Sequence, residues 1–423
     1  MRSIVTFFAL LILSGFFTSA FGEEAVQNEN LDQLVKSALA DNPELKASDA
    51  RWRMYREKIA QARSFDDPML MLKIQNGVVT DPFNFNREPM TSKVIGISQQ
   101  VPFWGKRALK EEVAAKTADS YRWGLEERKV ELVRMVKEAW YRLYYIDRSL
   151  GIVDKNIRLL DDFITIAETR YSVNQGTQTD ILKAQVERSK LLEMRITLEQ
   201  QRTTGQANLN TLLYRPADTP VGRIPDVEIT PLSYTGKDLR QMAYDRRPQI
   251  KSLSALIGKG EAGLRLADRE FYPDVNISFE YMQRDPAMGS SGDDMYSLGL
   301  TFNLPVQRER RHAAVAEANS EIAMATEELN VLKNSIDYGI ADLRAELDKR
   351  RKLAELYKTG IIPQANQTLE SATINYRVNK VDFLTLLDSQ MTLFNYEREY
   401  YESLADYGMK LAQLEALVGK ELD

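Results

Sequence analysis

The sequence predicts a mainly α-helical chain with membrane β-strands, built as a two-repeat protomer with four β-strands and long coiled-coil helices. Three observations carry this: an ordered internal duplication, a sustained heptad seam, and paired segments of alternating polarity. Each of the three is a backbone periodicity, so each speaks to element type before any chemistry is considered.

The duplication sets the frame. Asn42-Pro43-Glu44-Leu45 matches Arg247-Pro248-Gln249-Ile250, and Asp67-Pro68 matches Tyr272-Pro273. Further on, Gln100-Val101-Pro102 matches Asn303-Leu304-Pro305, Tyr171-Ser172-Val173-Asn174 matches Tyr376-Arg377-Val378-Asn379, and Gln185 matches Gln390. The pairs run in order, and the offset shrinks slightly between the strand segments, which predicts a shorter strand-to-strand loop in the second half. The expected organisation is a first repeat over 23–214, a connector over 215–236 and a second repeat over 237–423. Each repeat reads as helix, two strands, very long helix and medium helix. The connector carries Pro216, Pro220, Pro225 and Pro231, which rule out a long helix there.

Ahead of the repeats, residues 1–22 have a basic start at Arg2, an apolar stretch from Ile4 to Phe17 and a small-residue end at Ala20-Phe21-Gly22. That pattern predicts a signal peptide cleaved after Gly22.

Helices are predicted by the scarcity of breakers, with 21 glycines and 14 prolines in 423 residues. In the first repeat, apolar residues recur at Leu132, Val136, Ala139, Leu143, Ile146, Leu150, Val153, Ile157, Leu160, Ile164, Ala167 and Tyr171. Spacing that alternates four and three demands a supercoiled partner helix. The second repeat shows the seam at Ile322, Ala325, Leu329, Leu332, Ile336, Gly339 and Leu343. No proline interrupts Gly105–Tyr171, so that helix reaches about 100 Å at about 1.5 Å per residue.

Strands are predicted where the period changes to two. Val275, Ile277, Phe279 and Tyr281 alternate with Asn276, Ser278, Glu280 and Met282, and Tyr296, Leu298, Leu300, Phe302 and Leu304 do the same on the next segment. Leu70, Leu72 and Ile74, then Ile95, Ile97 and Val101, form weaker copies. One face of each segment is apolar and the other polar, over about the 9–11 residues that a membrane strand needs. Four strands cannot close a barrel, and lipid offers nothing to an open edge. Two copies supply eight strands and three supply twelve, and the count alone does not choose.

Composition excludes several classes. With no cysteine there are no disulfides, thiolate metal sites or cysteine nucleophiles, and His312 is the single histidine. A net charge of −5 gives no electrostatic basis for nucleic-acid binding. No phosphate loop, metalloprotease helix or nucleophile elbow is present, so no catalytic residues are assigned, and no cofactor and no metal site are expected. Met69 and Met71 alternate with Leu70 and Leu72 and need no metal to explain them.

With these features in place, the chain resembles a TolC-family outer membrane factor over nearly its whole length after residue 22. The carriers are the duplication, the Gln100-Val101-Pro102-Phe103-Trp104-Gly105-Lys106-Arg107 junction and the tips that begin Tyr171-Ser172-Val173-Asn174-Gln175-Gly176. The resemblance implies a homotrimer with a twelve-stranded outer membrane barrel and a twelve-helix periplasmic tunnel, with the barrel strands at about 65–104 and 271–305 and with 215–236 in an equatorial band. It implies a passive exit duct of a tripartite efflux or type I secretion system in a Gram-negative bacterium, with no enzyme activity. Its partners would be a periplasmic adaptor, an inner-membrane pump and outer membrane lipid, with no nucleic acid. Read on its helices alone, the chain would be a soluble periplasmic coiled-coil scaffold, which requires the apolar strand faces to be buried against helix.

The resemblance also places candidate residues. The gate would use Asp388, with Thr385, Asp382 and Asp180 at related positions. The adaptor would meet Val173, Asn174, Gln175 and Gly176 at one tip and Val378, Asn379, Lys380 and Val381 at the other. Phe103, Trp104, Lys106, Arg107, Arg308, Arg310 and Arg311 would sit at the membrane interface, the cations facing anionic head groups. The second junction lacks the glycine and aromatic pair, and Val381 stands where the first tip has Gly176.

Overall fold

The computed structural model describes residues 30–422, so the predicted signal peptide lies outside the described residues. The first half runs α1 (Leu31–Asp41), α2 (Pro43–Arg63), β1 (Met69–Gln75), β2 (Ser92–Val101), α3 (Lys106–Ser172) and α4 (Gln178–Leu212). The second runs α5 (Gly236–Arg246), α6 (Pro248–Arg269), β3 (Val275–Arg284), β4 (Met295–Phe302), α7 (Arg308–Leu356), α8 (Ile362–Arg377) and α9 (Phe383–Val418). Between them, 215–235 carries neither helix nor strand.

The structure corrects two expectations about helices. The helix ahead of each hairpin is two helices, because Pro43 and Pro248 occupy the first helical turn, where a missing N–H costs nothing. The Asn42 side chain caps the new start by accepting from Glu44 N at 2.9 Å. The long helix of the second half is also interrupted. A π-helical turn at Tyr357–Ile361 links α7 to α8, and Pro363 lies in the first turn of α8. The π turn directly precedes the proline, whose missing N–H cannot continue the α-helical hydrogen-bond ladder. Tyr357 donates from its Oη to Glu399 at 2.6 Å across to α9. Burial and then the Glu399 carboxylate push its phenol up to about 12.

The α3 seam is buried along most of its length. Leu132, Val136, Ala139 and Leu143 enter one cluster with α1, the connector and the middle of α9. Ile146, Val153, Ile157, Leu160 and Ala167 enter a second with α4, α8 and the start of α9. Tyr171, the last seam position, is exposed, because the helix ends there. Gly408 on α9 makes room for Tyr141 of α3, since a Cβ there would lie 2.3 Å from the Tyr141 ring. Gly408→Ala is expected to cost about 1–3 kcal/mol of stability by overpacking. The denaturation midpoint reads this directly, and an unchanged midpoint would mean that the ring moves freely.

The connector closes the girth of the molecule. Val221 and Ile224 are buried in the first cluster, and Tyr407 Oη donates to Thr230 O at 2.6 Å. Arg148 pairs with Asp226 at 2.8 Å.

The four strands form one antiparallel sheet in the order β1-β2-β3-β4. The central β2–β3 pairing joins the two halves of the chain. The β1–β2 loop spans 76–91 and the β3–β4 loop spans 285–294, so the shorter loop is in the second half, as the drift in offset predicts. The strands stop short of the expected limits, and Phe103 and Trp104 fall in the turn before α3.

The helices continue the sheet's order. Near the sheet, α2, α3, α6 and α7 lie side by side; farther away, α4, α3, α9 and α8 do. The protomer is therefore a wall one element thick, with two long unpaired flanks. β1, α2 and α4 form one flank, and β4, α7 and α8 form the other.

Candidate functional site

The register of the sheet builds two unlike faces. Leu70, Ile97, Phe279 and Leu298 form one cross-strand row, and Leu72, Ile95, Tyr281 and Tyr296 form the next. All eight are exposed, up to 72% for Leu72 and 75% for Leu298. No helix covers them, so the condition required by the soluble scaffold is not met. The opposite face carries Lys73 paired with Glu280 at 3.0 Å, with Gly96 and Ser297 in the same row as Glu280. An exposed apolar face of this extent on one side of a sheet, polar on the other, is the profile of a membrane barrel segment.

At the other end of the wall the two tips close by the same device. Asn174 and Asn379 take positive φ of 59° and 66°. Each allows a reversed hydrogen bond back into the helix, Gln175 N to Arg170 O and Lys380 N to Asn375 O, both at 2.8 Å. This is the Schellman closure that asparagine tolerates. Gly176 tucks against the end of α3, where a Cβ would meet the Arg170 Cβ at 3.2 Å. Its counterpart Val381 instead packs on the α3, α4 and α9 cluster. Val173 and Val378 are exposed, 57% each.

The sequence reading missed the residue that ties the tips together. Arg170 is 8% exposed. It donates to Gln175 O at 2.9 Å, and also to Tyr376 O and to the Asn379 side chain, with its guanidinium 4.4 Å from the centre of the Tyr376 ring. The duplicated position is Asn375, so the tie exists once, running from α3 to α8. The signal available was an arginine directly before the repeated tyrosine, where the other repeat has a neutral residue.

The four gate candidates divide by what holds them. Asp180 sits in a capping box, accepting from Thr177 N at 3.2 Å while its own N–H donates to Thr177 Oγ1 at 3.3 Å. Asp382 caps α9 by accepting from Thr385 N at 2.8 Å. The Thr385 side chain and then its N–H hold the Asp382 carboxyl below the usual carboxylate value. Both acids are therefore accounted for by helix starts. Asp388 differs, because it is exposed and makes no hydrogen bond or ion pair among the described residues. It lies on a polar exposed stripe of α9 with Thr385, Thr392, Asn395 and Glu399.

The junction between sheet and helices needs the largest correction. Lys106 is 1% exposed and does not face lipid. Its Nζ donates to Asp274 at 2.9 Å and to Tyr272 O at 3.0 Å, with Glu270 at 3.5 Å. A buried ammonium demands such partners. Phe103 stacks on Tyr272 at 4.6 Å, and its N–H donates to Asp274 at 2.7 Å. Arg107 caps the end of α2 through Arg63 O and lies over Phe65, while Arg311 caps α6 through Glu270 O at 2.6 Å. Trp104 is 90% exposed, and Arg308 and Arg310 are exposed too.

Among the described residues no group of His, Asp and Glu is placed to hold a metal, and no helix is long and apolar enough to cross a membrane. Neither statement bears on a β-barrel.

Comparisons agree with this geometry. Residues 34–213 and 239–420 match the outer membrane efflux protein family. The chain is 22% identical to the outer membrane efflux protein BepC of Brucella suis, over 91% of this chain and 83% of BepC. It is 20% identical to the cobalt-zinc-cadmium resistance protein CzcC of Cupriavidus metallidurans, over 95% and 92%. The fold matches the outer membrane protein VceC of Vibrio cholerae with a TM-score of 0.78, covering 93% of this chain and 97% of VceC at 17% identity. A matched family profile that takes in both halves, an exposed apolar sheet face and a one-layer helical wall lead to one conclusion: this chain is an outer membrane protein belonging to the outer membrane efflux protein family, the TolC family.

Proposed function

We propose that three copies close into a periplasm-spanning duct that lets substrate delivered from the inner membrane leave the cell passively. The observation that carries this is the sheet with one apolar face and two unpaired edges. In lipid both edges need partners, and β4 of one copy can pair with β1 of the next. Two copies give eight strands, whose interior side chains fill; three give twelve and leave a lumen. The flanks support the same closure lower down. Leu182, Val186 and Ile196 lie exposed on α4, and Met324, Val331 and Tyr338 lie exposed on α7. Each set recurs at heptad-compatible spacing and lacks a partner within the protomer.

In this reading the two repeats, 23–214 and 237–423, supply two strands and two tunnel staves each, and 215–236 girdles the tunnel. The tips around Val173 and Val378 point into the periplasm and engage an adaptor, which couples the duct to an inner-membrane pump. The duct has no catalytic work to do. BepC and CzcC are named for different systems at similar identity, so the cargo is assigned to the pump and not to this chain.

The α9 stripe faces the duct near its closed end. Threefold symmetry gathers three Asp388 carboxylates, which attract cations and repel anions. Asp388→Ala is expected to lower the cation-over-anion permeability ratio of reconstituted channels by a factor of roughly ten, the low end of what focused charge does to local ion concentration. Single-channel records at two salt gradients measure it. Identical reversal potentials for variant and parent would remove Asp388 from the gate. Asp382→Asn keeps the helix cap and is expected to leave the ratio unchanged.

A further inference from the structure

We propose that the cleft where the sheet meets the helices binds one anionic phospholipid of the periplasmic leaflet per protomer. This rests on the membrane placement argued above and adds a specific ligand site to it.

The cleft has a volume of about 920 Å³ and lies between the first turn of α3, the last turns of α6 and the start of α7. Arg265 and Arg269 come from α6 and Arg308 from α7, with Gly105 and Ala108 lining the α3 side. Sequence reading placed only Arg308 here, because the α6 arginines reach the junction only through the fold. Arg265 is held by Glu112 at 2.6 Å. Arg269 and Arg308 are exposed and have no ion pair among the described residues, and the Arg269 guanidinium lies 5.8 Å from the centre of the Tyr272 ring. Asp268 is the single carboxylate in the lining, which leaves the cleft net positive. Two guanidinium groups without a carboxylate partner suit the oxygens of one phosphate.

The surroundings argue for a lipid over a free phosphate. Trp104, Leu304 and Val306, in the turns that join strands to helices, are all exposed. They are the chain neighbours of the lining residues Gly105 and Pro305, and Leu304 extends the apolar alternation of β4 toward the cleft. A head group seated on Arg269 and Arg308 therefore places its acyl chains along Leu304 and the sheet. An anion there also relieves a local conflict. α7 starts without a side-chain cap, and in its first residues Arg308, Arg310 and Arg311 outnumber Glu309, an excess of cations that a helix start disfavours even with Arg311 bonded to Glu270 O.

The test uses the full mature protein, delipidated in mild detergent and offered phosphatidylglycerol, phosphatidylethanolamine or inorganic phosphate. Native mass spectrometry counts the molecules retained. The expected result is about one phosphatidylglycerol per protomer, preferred over phosphatidylethanolamine, with retention falling roughly tenfold in Arg269→Gln/Arg308→Gln. Arg310→Gln, exposed but outside the cleft, keeps the lipid. Equal retention by parent and double variant, equal retention of the two lipids, or displacement by millimolar phosphate would each overturn the site. Protein that never forms trimers in detergent would instead contradict the membrane reading on which the site depends, so the two failures are distinguishable.

Discussion

Leu298→Arg is expected to keep the protein out of the outer membrane, while Ser297→Arg, one residue earlier, leaves it there. The two positions are adjacent on β4 and differ only in the face they occupy. Leu298 ends the row Leu70, Ile97, Phe279 and Leu298, the exposed apolar face that the proposed barrel turns to lipid. Ser297 lies opposite Glu280 on the polar face, where an added guanidinium finds a carboxylate. An arginine at the bilayer midplane costs about 2–4 kcal/mol per copy, and a closed trimer takes that cost three times. On the lumen side the same residue stays hydrated. The measurement is the fraction of protein that floats with outer membranes and resists dissociation in mild detergent. The contrast between neighbours removes general misfolding as an explanation, because both variants add the same bulk to the same strand. Equal membrane fractions for the two would contradict the assignment of faces.

Arg170→Ala is expected to free the tips. The side chain makes three donor contacts, one to Gln175 O in the turn after α3 and two across the gap, to Tyr376 O and the Asn379 side chain at the end of α8. Hydrogen bonds to charged groups contribute about 1.5–3 kcal/mol each, and they are not additive, so a local loss of about 3 kcal/mol is the working figure. That corresponds to roughly 100-fold faster exchange of the tip amides if they exchange through local opening. Conductance of the reconstituted channel should rise in parallel, since Arg170 ties one repeat to the other at the tips, where the proposed duct closes. Arg170→Lys keeps the charge but not the fork that reaches three acceptors, so it should behave like the alanine variant. Unchanged exchange at residues 170–180 and 376–385 would show that the tie carries no restraint.

The two cases differ in how visible they were in the sequence. The sheet faces were legible because a period of two is a property of single strands, and the register then only lines up rows that each strand had already sorted. The α3 seam was legible for the same reason, from Leu132 to Ala167. Arg170 was not, because an arginine on a heptad helix reads as solvated until a second helix arrives to bury it. Lys106 misled in the same way: a cation in the basic run after Gly105 looks like surface charge, but the fold lays Asp274 and Tyr272 over it. Asp180 and Asp382 carried a signal that favoured the simpler role, since Thr177 precedes Asp180 at capping-box spacing and Asp382 stands directly before an apolar helix start. The helix breaks at Pro43 and Pro248 were in view as repeat markers, and their position after Asn42 and Arg247 is the usual place for proline to begin a helix. The π turn before Pro363 was the least legible, because the sequence marks the proline but not how the backbone absorbs it.

If other copies of the chain complete the flanks of this one-layer wall around a duct, single-particle imaging of the detergent-extracted mature protein will show it. The expected particle is a threefold tube with a barrel cap and a helical stalk of about 100 Å, the length of one unbroken α3. Particles with twofold symmetry, or thin rods that stay soluble without detergent, would contradict it.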